Sequence, residues 1–149
     1  MMVDPLRILI VEDEALLAME LEGLIEDAGH QVVGWATNAT EAKHLVDTVD
    51  AEVAFLDVHL TDGPTGVDIA RYIQQCGKPV TVFLTANPKR LPENFAGAVG
   101  VIAKPYTVNG LMAALRYLEE GVRRPPPNEA LPVGFTLSPD YISTWGNRR

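Results

Sequence analysis

The chain has 149 residues, of which 47% are apolar, and a formal net charge of −8. That length suits one domain with some to spare, and the apolar share is enough for a full core. The acidic balance repels a phosphate backbone, which argues against nucleic acid as a direct partner, and no apolar run approaches the ~20 residues of a membrane span.

The opening residues, MMVDPLR, lack the apolar stretch of a signal peptide. Arg7 to Val11 (RILIV) is a short apolar run ending in Glu12-Asp13-Glu14. From Glu14 to Ala28 the spacing turns helical, with Leu17, Leu21, Leu24, Ile25 and Ala28 on one stripe and Gly29 as the stop. Leu16 and Met19 fall nearly opposite that stripe. Gln31 to Ala36 predicts a strand, and Thr37 or Asn38 can cap a helix carrying Ala42, Leu45, Val46 and Val49.

Val53 to Leu56 is a second continuous apolar run, too short for a helix, and Asp57 ends it. Such a run reads as a strand buried on both faces of a parallel sheet. A loop from Thr61 to Gly66 leads to a third helix near Val67–Ile73, stopping at Cys76-Gly77. Cys76 is the single cysteine, which excludes an internal disulfide and fits a reducing cytoplasm, the location expected. Val80 to Leu84 predicts a strand ending at Thr85, and Pro88 and Pro92 leave any following helix short or irregular. Gly100 to Ala103 predicts a fifth strand ending in Lys104-Pro105, before an amphipathic helix from Val108 to Glu120 with Leu111, Ala114, Leu115 and Leu118 inward. Strands alternating with helices at this spacing imply an α/β fold: a doubly wound, five-stranded parallel sheet in a flavodoxin-like three-layer sandwich.

One globular domain is expected over 1–122, followed over 123–149 by a Pro-rich spacer and an apolar tail too short for a second domain. The tail opens with a Pro125-Pro126-Pro127 spacer of polyproline character. Ser138-Pro139-Asp140 predicts a helix start, which would set Tyr141 and Trp145 on one face. Leaving Phe135, Leu137, Tyr141, Ile142 and Trp145 in water costs about 1.5–3 kcal/mol each relative to burial. The tail is therefore expected to cover the fourth- and fifth-helix face of its own globular unit or of a second copy in a homodimer.

Ligands of open parallel sheets bind beyond the carboxyl ends of the strands. Four predicted strands deliver Glu12 and Asp13, Asp57, Thr85 and Lys104 to that edge. Three neighbouring carboxylates repel unless a cation intervenes, and a hard divalent ion such as Mg²⁺ suits oxygen ligands in a small site. Metal, ammonium and hydroxyl together hold the oxygens of a transferring phosphoryl group, with Asp57 as the nucleophile.

The acidic pair after the first strand, the Asp after the third, Thr85-Ala86 after the fourth and Lys104-Pro105 after the fifth together resemble a response-regulator receiver domain, over residues 6 to 121. The resemblance implies a phosphoprotein of a two-component system or phosphorelay. Asp57 would accept phosphate from a sensor histidine kinase or a histidine phosphotransfer protein. It also implies Mg²⁺ held by Asp13, Asp57 and the main-chain carbonyl of His59, with Glu12 acting through water. Thr85 and Lys104 would contact the phosphoryl group. Such a protein catalyses only its own phosphorylation and dephosphorylation.

The chain departs from the family pattern in three places. Thr61 stands where a proline is usual, the loop glycine comes one residue late at Gly66, and Val101 occupies the place of the switch aromatic. No DNA-binding segment follows the receiver, so the expected function is a single-domain regulator acting on an unknown output protein or by onward phosphotransfer. Two rivals are weaker. A flavodoxin-like mononucleotide binder should have a Ser-, Thr- and Gly-rich first loop, and an aspartyl phosphatase of the haloacid dehalogenase type should have a second Asp where His59 stands.

Overall fold

The computed structural model describes residues 4–146. The leader reading begins, and the tail assigned to 123–149 ends, outside those residues. Strands β1 (Arg7–Val11), β2 (Gln31–Ala36), β3 (Val53–Asp57), β4 (Val80–Thr85) and β5 (Gly100–Ala103) form a parallel sheet in the order β2-β1-β3-β4-β5. Ile8 to Val11, Val53 to Leu56 and Thr81 to Thr85 are buried. Side chains on a strand alternate between faces, so continuous burial requires cover on both sides of the sheet.

That cover comes from two helix layers. Helix α1 (Ala15–Asp27) and helix α4 (Val108–Arg123) pack one face through Leu21, Ile25, Leu111, Leu115 and Leu118. Helix α2 (Ala39–Thr48) and helix α3 (Gly66–Cys76) pack the other through Ala42, Ile69, Ala70 and Ile73. The caps are local. Asn38 Oδ1 accepts the Glu41 N–H at 2.9 Å while Glu41 Oε1 accepts the Thr37 N–H at 2.8 Å, and Thr107 Oγ1 accepts the Gly110 N–H at 2.9 Å.

Between β4 and β5 the chain makes two 3₁₀ turns, Pro88–Arg90 and Phe95–Gly97, instead of an α-helix. Proline at 88 and 92 removes backbone donors there, and Phe95 and Ala96 take positive φ values of 53° and 52°. The alternation of strands and helices is thus broken once.

The tail lies on its own globular unit. After α4 the chain folds back, with Asn128 and Glu129 N–H both donating to Glu120 Oε1, so the proline segment is no projecting spacer. Strand β6 (Phe135–Leu137) then pairs antiparallel with β5, setting Phe135 opposite Ile102 and Leu137 opposite Gly100. Gly100 is needed there, because a Cβ would meet the Phe135 ring at 2.5 Å and the Thr136 carbonyl at 2.6 Å. A 3₁₀ turn, Pro139–Tyr141, leads into a one-turn helix α5 (Ile142–Trp145). Ser138 does not cap it by its side chain, and its hydroxyl faces the Asn94 carbonyl instead. Tyr141 and Trp145 do share a face, with ring centroids 6.2 Å apart. Phe135 and Trp145 join the α1/α4 core, whereas Ile142, expected to be covered, is exposed.

Candidate functional site

The register of the sheet brings the expected residues together. Val11 pairs with Leu56, so Glu12 and Asp57 leave β1 and β3 at the same level. Asp57 pairs with Leu84, and Thr85 with Ala103, which places Thr85 one step and Lys104 two steps further along the same edge. Carboxylate oxygens of Glu12, Asp13 and Asp57 lie within 4.8 Å of one another. Lys104 Nζ bridges two of them, 3.1 Å from Glu12 Oε1 and 3.1 Å from Asp57 Oδ2.

Three carboxylates against one ammonium leave a net negative cluster made only of hard oxygen donors. That donor set fits Mg²⁺, which prefers oxygen ligands and keeps several waters. Burial pushes the Glu12 carboxyl above the ordinary carboxylate value, against the pull of the Glu14 N–H and of Lys104. For Lys104, burial works to lower the pKa, but Asp57 and Glu12 beside it prevail and hold it above the usual lysine value. The ammonium is therefore a fixed charge at neutral pH.

Thr85 is buried; its Oγ1 accepts the Asn87 N–H at 3.1 Å and its carbonyl accepts the Lys104 N–H at 2.9 Å. Neither bond uses the hydroxyl proton, which is left to donate. His59 is exposed just past β3, and its side chain is not part of the carboxylate cluster. The late glycine of the β3–α3 loop has a steric cause. A Cβ on Gly66 would overlap the Asp57 carbonyl oxygen and crowd Val58 Cα at 2.8 Å, while the Gly66 N–H donates to the Val58 carbonyl at 3.0 Å. Only glycine lets α3 start this close to the end of β3.

A groove of about 400 Å³ opens beside the cluster between α1 and the β5–α4 loop, lined by Leu17, Leu21, Leu84, Lys104 and Tyr106 among others. Leu16 and Met19 stand exposed on α1, as the helical wheel predicts. Sequence reasoning missed Trp35. It stands one residue before the end of β2, half-exposed, and donates its indole N–H to the Glu12 carbonyl at 2.7 Å. A tryptophan near the end of an edge strand, one strand away from the acidic pair, is the only signal the sequence carries for it. Among the described residues, no helix is long and apolar enough to cross a membrane.

Known proteins share this arrangement. Residues 8–116 match the response regulator receiver domain. The phyllosphere-induced regulator PhyR of Methylorubrum extorquens is 32% identical over 123 residues, 79% of this chain and 46% of that protein. The crystal structure of the anti-anti-sigma factor PhyR from Bartonella quintana superposes with a TM-score of 0.66 at 30% identity, over 78% of this chain and 47% of that one. The response regulatory domain of mrkE from Klebsiella pneumoniae superposes with a TM-score of 0.72 at 29% identity, over 79% of this chain and 98% of that domain. The chain spans about half the length of the two PhyR proteins. With a family match over most of its length and the acidic cluster at the sheet edge, the chain belongs to the response regulator receiver domain family of two-component signalling.

Proposed function

We propose that Asp57 accepts a phosphoryl group from the phosphohistidine of a sensor histidine kinase or a histidine phosphotransfer protein, in a Mg²⁺-dependent reaction. The observation that carries this reading is the convergence of Glu12, Asp13 and Asp57, with Lys104 shared between Glu12 and Asp57. Asp13, Asp57 and the His59 main-chain carbonyl would hold the metal, and Glu12 would act through water. Bound Mg²⁺ would supply positive charge that relieves repulsion among the carboxylates and the incoming phosphoryl oxygens.

The chain's own groups do the rest. An Asp57 carboxylate oxygen attacks phosphorus in line, the histidine N–P bond breaks, and the imidazole nitrogen keeps the electron pair. Lys104 leaves its ion pair with Asp57 to hold a phosphoryl oxygen, and the Thr85 hydroxyl donates to another. The reaction is the protein's own modification and its reversal, with no separate substrate turned over. Leu16 and Met19, exposed beside the site, and the groove toward Tyr106 suit docking of the donor's helical bundle.

In this reading the receiver signals through a protein contact or onward phosphotransfer. The Bartonella quintana relative is described as an anti-anti-sigma factor, which favours a protein partner over DNA. The acidic charge of this chain points the same way. Incubation with acetyl phosphate and Mg²⁺, followed by intact mass, should add one phosphoryl group. Asp57→Asn or EDTA should abolish the gain, and labelling that survives Asp57→Asn would overturn the assignment.

A further inference from the structure

Glu12 is held at every polar atom it carries. Its N–H donates to the Ala36 carbonyl at 2.9 Å, Oε2 accepts the Glu14 N–H at 3.1 Å, and Oε1 accepts from Lys104 at 3.1 Å. Its carbonyl accepts the Trp35 indole N–H at 2.7 Å. The first two partners are main-chain groups that any sequence would offer, and Lys104 is part of the site itself. Trp35 is the one side chain brought in from outside.

The carbonyl of Glu12 and the nitrogen of Asp13 belong to one planar peptide unit. A donor that fixes the direction of that carbonyl therefore fixes how the chain enters Asp13. The bond is at the short end of the N–H···O range. It is also reinforced at the neighbouring residue, since the Glu12 N–H is tied to Ala36, next to Trp35 on the same strand. Trp35 is 45% exposed, so burial alone accounts poorly for a tryptophan here.

We propose that Trp35 is a positioning residue for the acidic pair: its indole N–H locks the Glu12–Asp13 peptide so that both carboxylates meet Asp57 ready to take a divalent cation. This rests on the phosphoacceptor reading above. Outer contacts of this kind orient metal ligands without touching the metal, and losing one typically costs 10–100-fold in affinity. A bond to the main chain beside the ligand belongs at the lower end of that range.

The test compares the wild-type chain with Trp35→Phe, which keeps an aromatic ring and removes the donor. Mg²⁺ titrated into each by calorimetry should bind the variant about tenfold more weakly. Acetyl-phosphate labelling of the variant should be slow at low Mg²⁺ and recover at saturating Mg²⁺, as expected when ligand placement, and not the acceptor, is impaired. Wild-type Mg²⁺ affinity in the variant overturns the assignment. A second reading needs no variant. In ¹⁵N spectra of the wild type, the Trp35 indole proton should exchange slowly despite the residue's exposure, and its signal should move on Mg²⁺ addition. Exchange as fast as in free tryptophan overturns the assignment as well. Should the wild type itself take no Mg²⁺, the phosphoacceptor reading falls and this role with it; equal binding by both chains removes Trp35 alone.

Discussion

The buried phenol of Tyr117, on α4, donates to the main-chain carbonyl of Trp145 at 2.8 Å. The same ring lies 5.8 Å from the Trp145 indole and 5.4 Å from Phe135, so one side chain of α4 holds both of these tail aromatics. Tyr117→Phe keeps the ring contacts and leaves a buried carbonyl unpaired, at a cost of about 1–3 kcal/mol. Thermal unfolding by circular dichroism should fall by about 2–4 °C for each kcal/mol in a chain of this size. An unchanged melting temperature would show that this bond does not anchor the tail.

Gly121 makes a prediction whose sign is opposite to the usual rule. Glycine inside a helix is about 1 kcal/mol worse than alanine, yet a Cβ on Gly121 would overlap the six-membered ring of Trp145. Gly121→Ala should therefore destabilise the protein toward denaturant and shift Trp145 emission to the red as the indole leaves its site. In a Trp145→Ala background the same change should stabilise by about 1 kcal/mol. If Gly121→Ala stabilises the wild type, the tail is not seated on α4.

The contrast between site and tail shows what a sequence can carry. Strands β1, β3 and β4 announce themselves because burial on both faces demands unbroken apolar runs, and a polar residue at each end marks the sheet edge. The register that aligns Glu12 with Asp57 follows once those strands are neighbours. Phe135-Thr136-Leu137 is too short to show a period, and its pairing depends on the bare backbone of Gly100 on another strand. The segment after β4 reads as irregular from its prolines, but nothing local says that the tail, and no helix, covers the β5 edge. Trp35 is hidden for a similar reason: its partner is a main-chain carbonyl, which no residue type betrays.

His30 gives a pH dependence unrelated to the site. The Leu6 N–H donates to His30 Nδ1 at 3.0 Å, which requires that nitrogen unprotonated. Burial lowers the His30 pKa below its ordinary 6.5, opposed by Glu119 and Glu52 and aided by Arg123. Below pH 6.5 the unfolded chain takes a proton that the folded one refuses. The stabilisation is thus complete above pH 6.5 and is lost as pH falls from there toward the folded value. His30→Asn keeps an acceptor and removes the titration. The wild type should lose stability more steeply than His30→Asn below pH 6.5, by no more than about 1.4 kcal/mol per pH unit, in urea unfolding followed across pH 5–7.5. Parallel curves would mean that His30 protonates freely in the fold.

Leu16 and Met19 are 74% and 63% exposed on the first turns of α1. Neither contributes to the core, so Leu16→Glu with Met19→Glu should leave the melting temperature within about a degree or two. Transfer from the cognate kinase should slow by about tenfold or more, since apolar contacts near the centre of an interface carry much of its energy. Labelling by acetyl phosphate should not change. Equal loss with both donors would place the damage in the site and not in docking.

Lys104 separates holding the cation from handling the phosphoryl group. Its ammonium lies 3.1 Å from Glu12 Oε1 and from Asp57 Oδ2, where it already offsets part of the charge that draws Mg²⁺. Lys104→Ala removes a competing positive charge without removing any proposed metal ligand. Calorimetry should then show Mg²⁺ binding retained or strengthened, because two carboxylates lose their partner and gain more from a divalent ion. Labelling should respond in the other direction. With no ammonium to meet a phosphoryl oxygen, acetyl-phosphate modification of Asp57 should slow by about 10²-fold, the order of loss seen when one preorganised charge donor is removed. Lys104→Arg restores the charge but carries a planar fork in place of a compact ammonium, so it should recover only part of the rate. A Lys104→Ala protein labelled at the wild-type rate would show that this lysine serves only as a counter-ion in the resting fold.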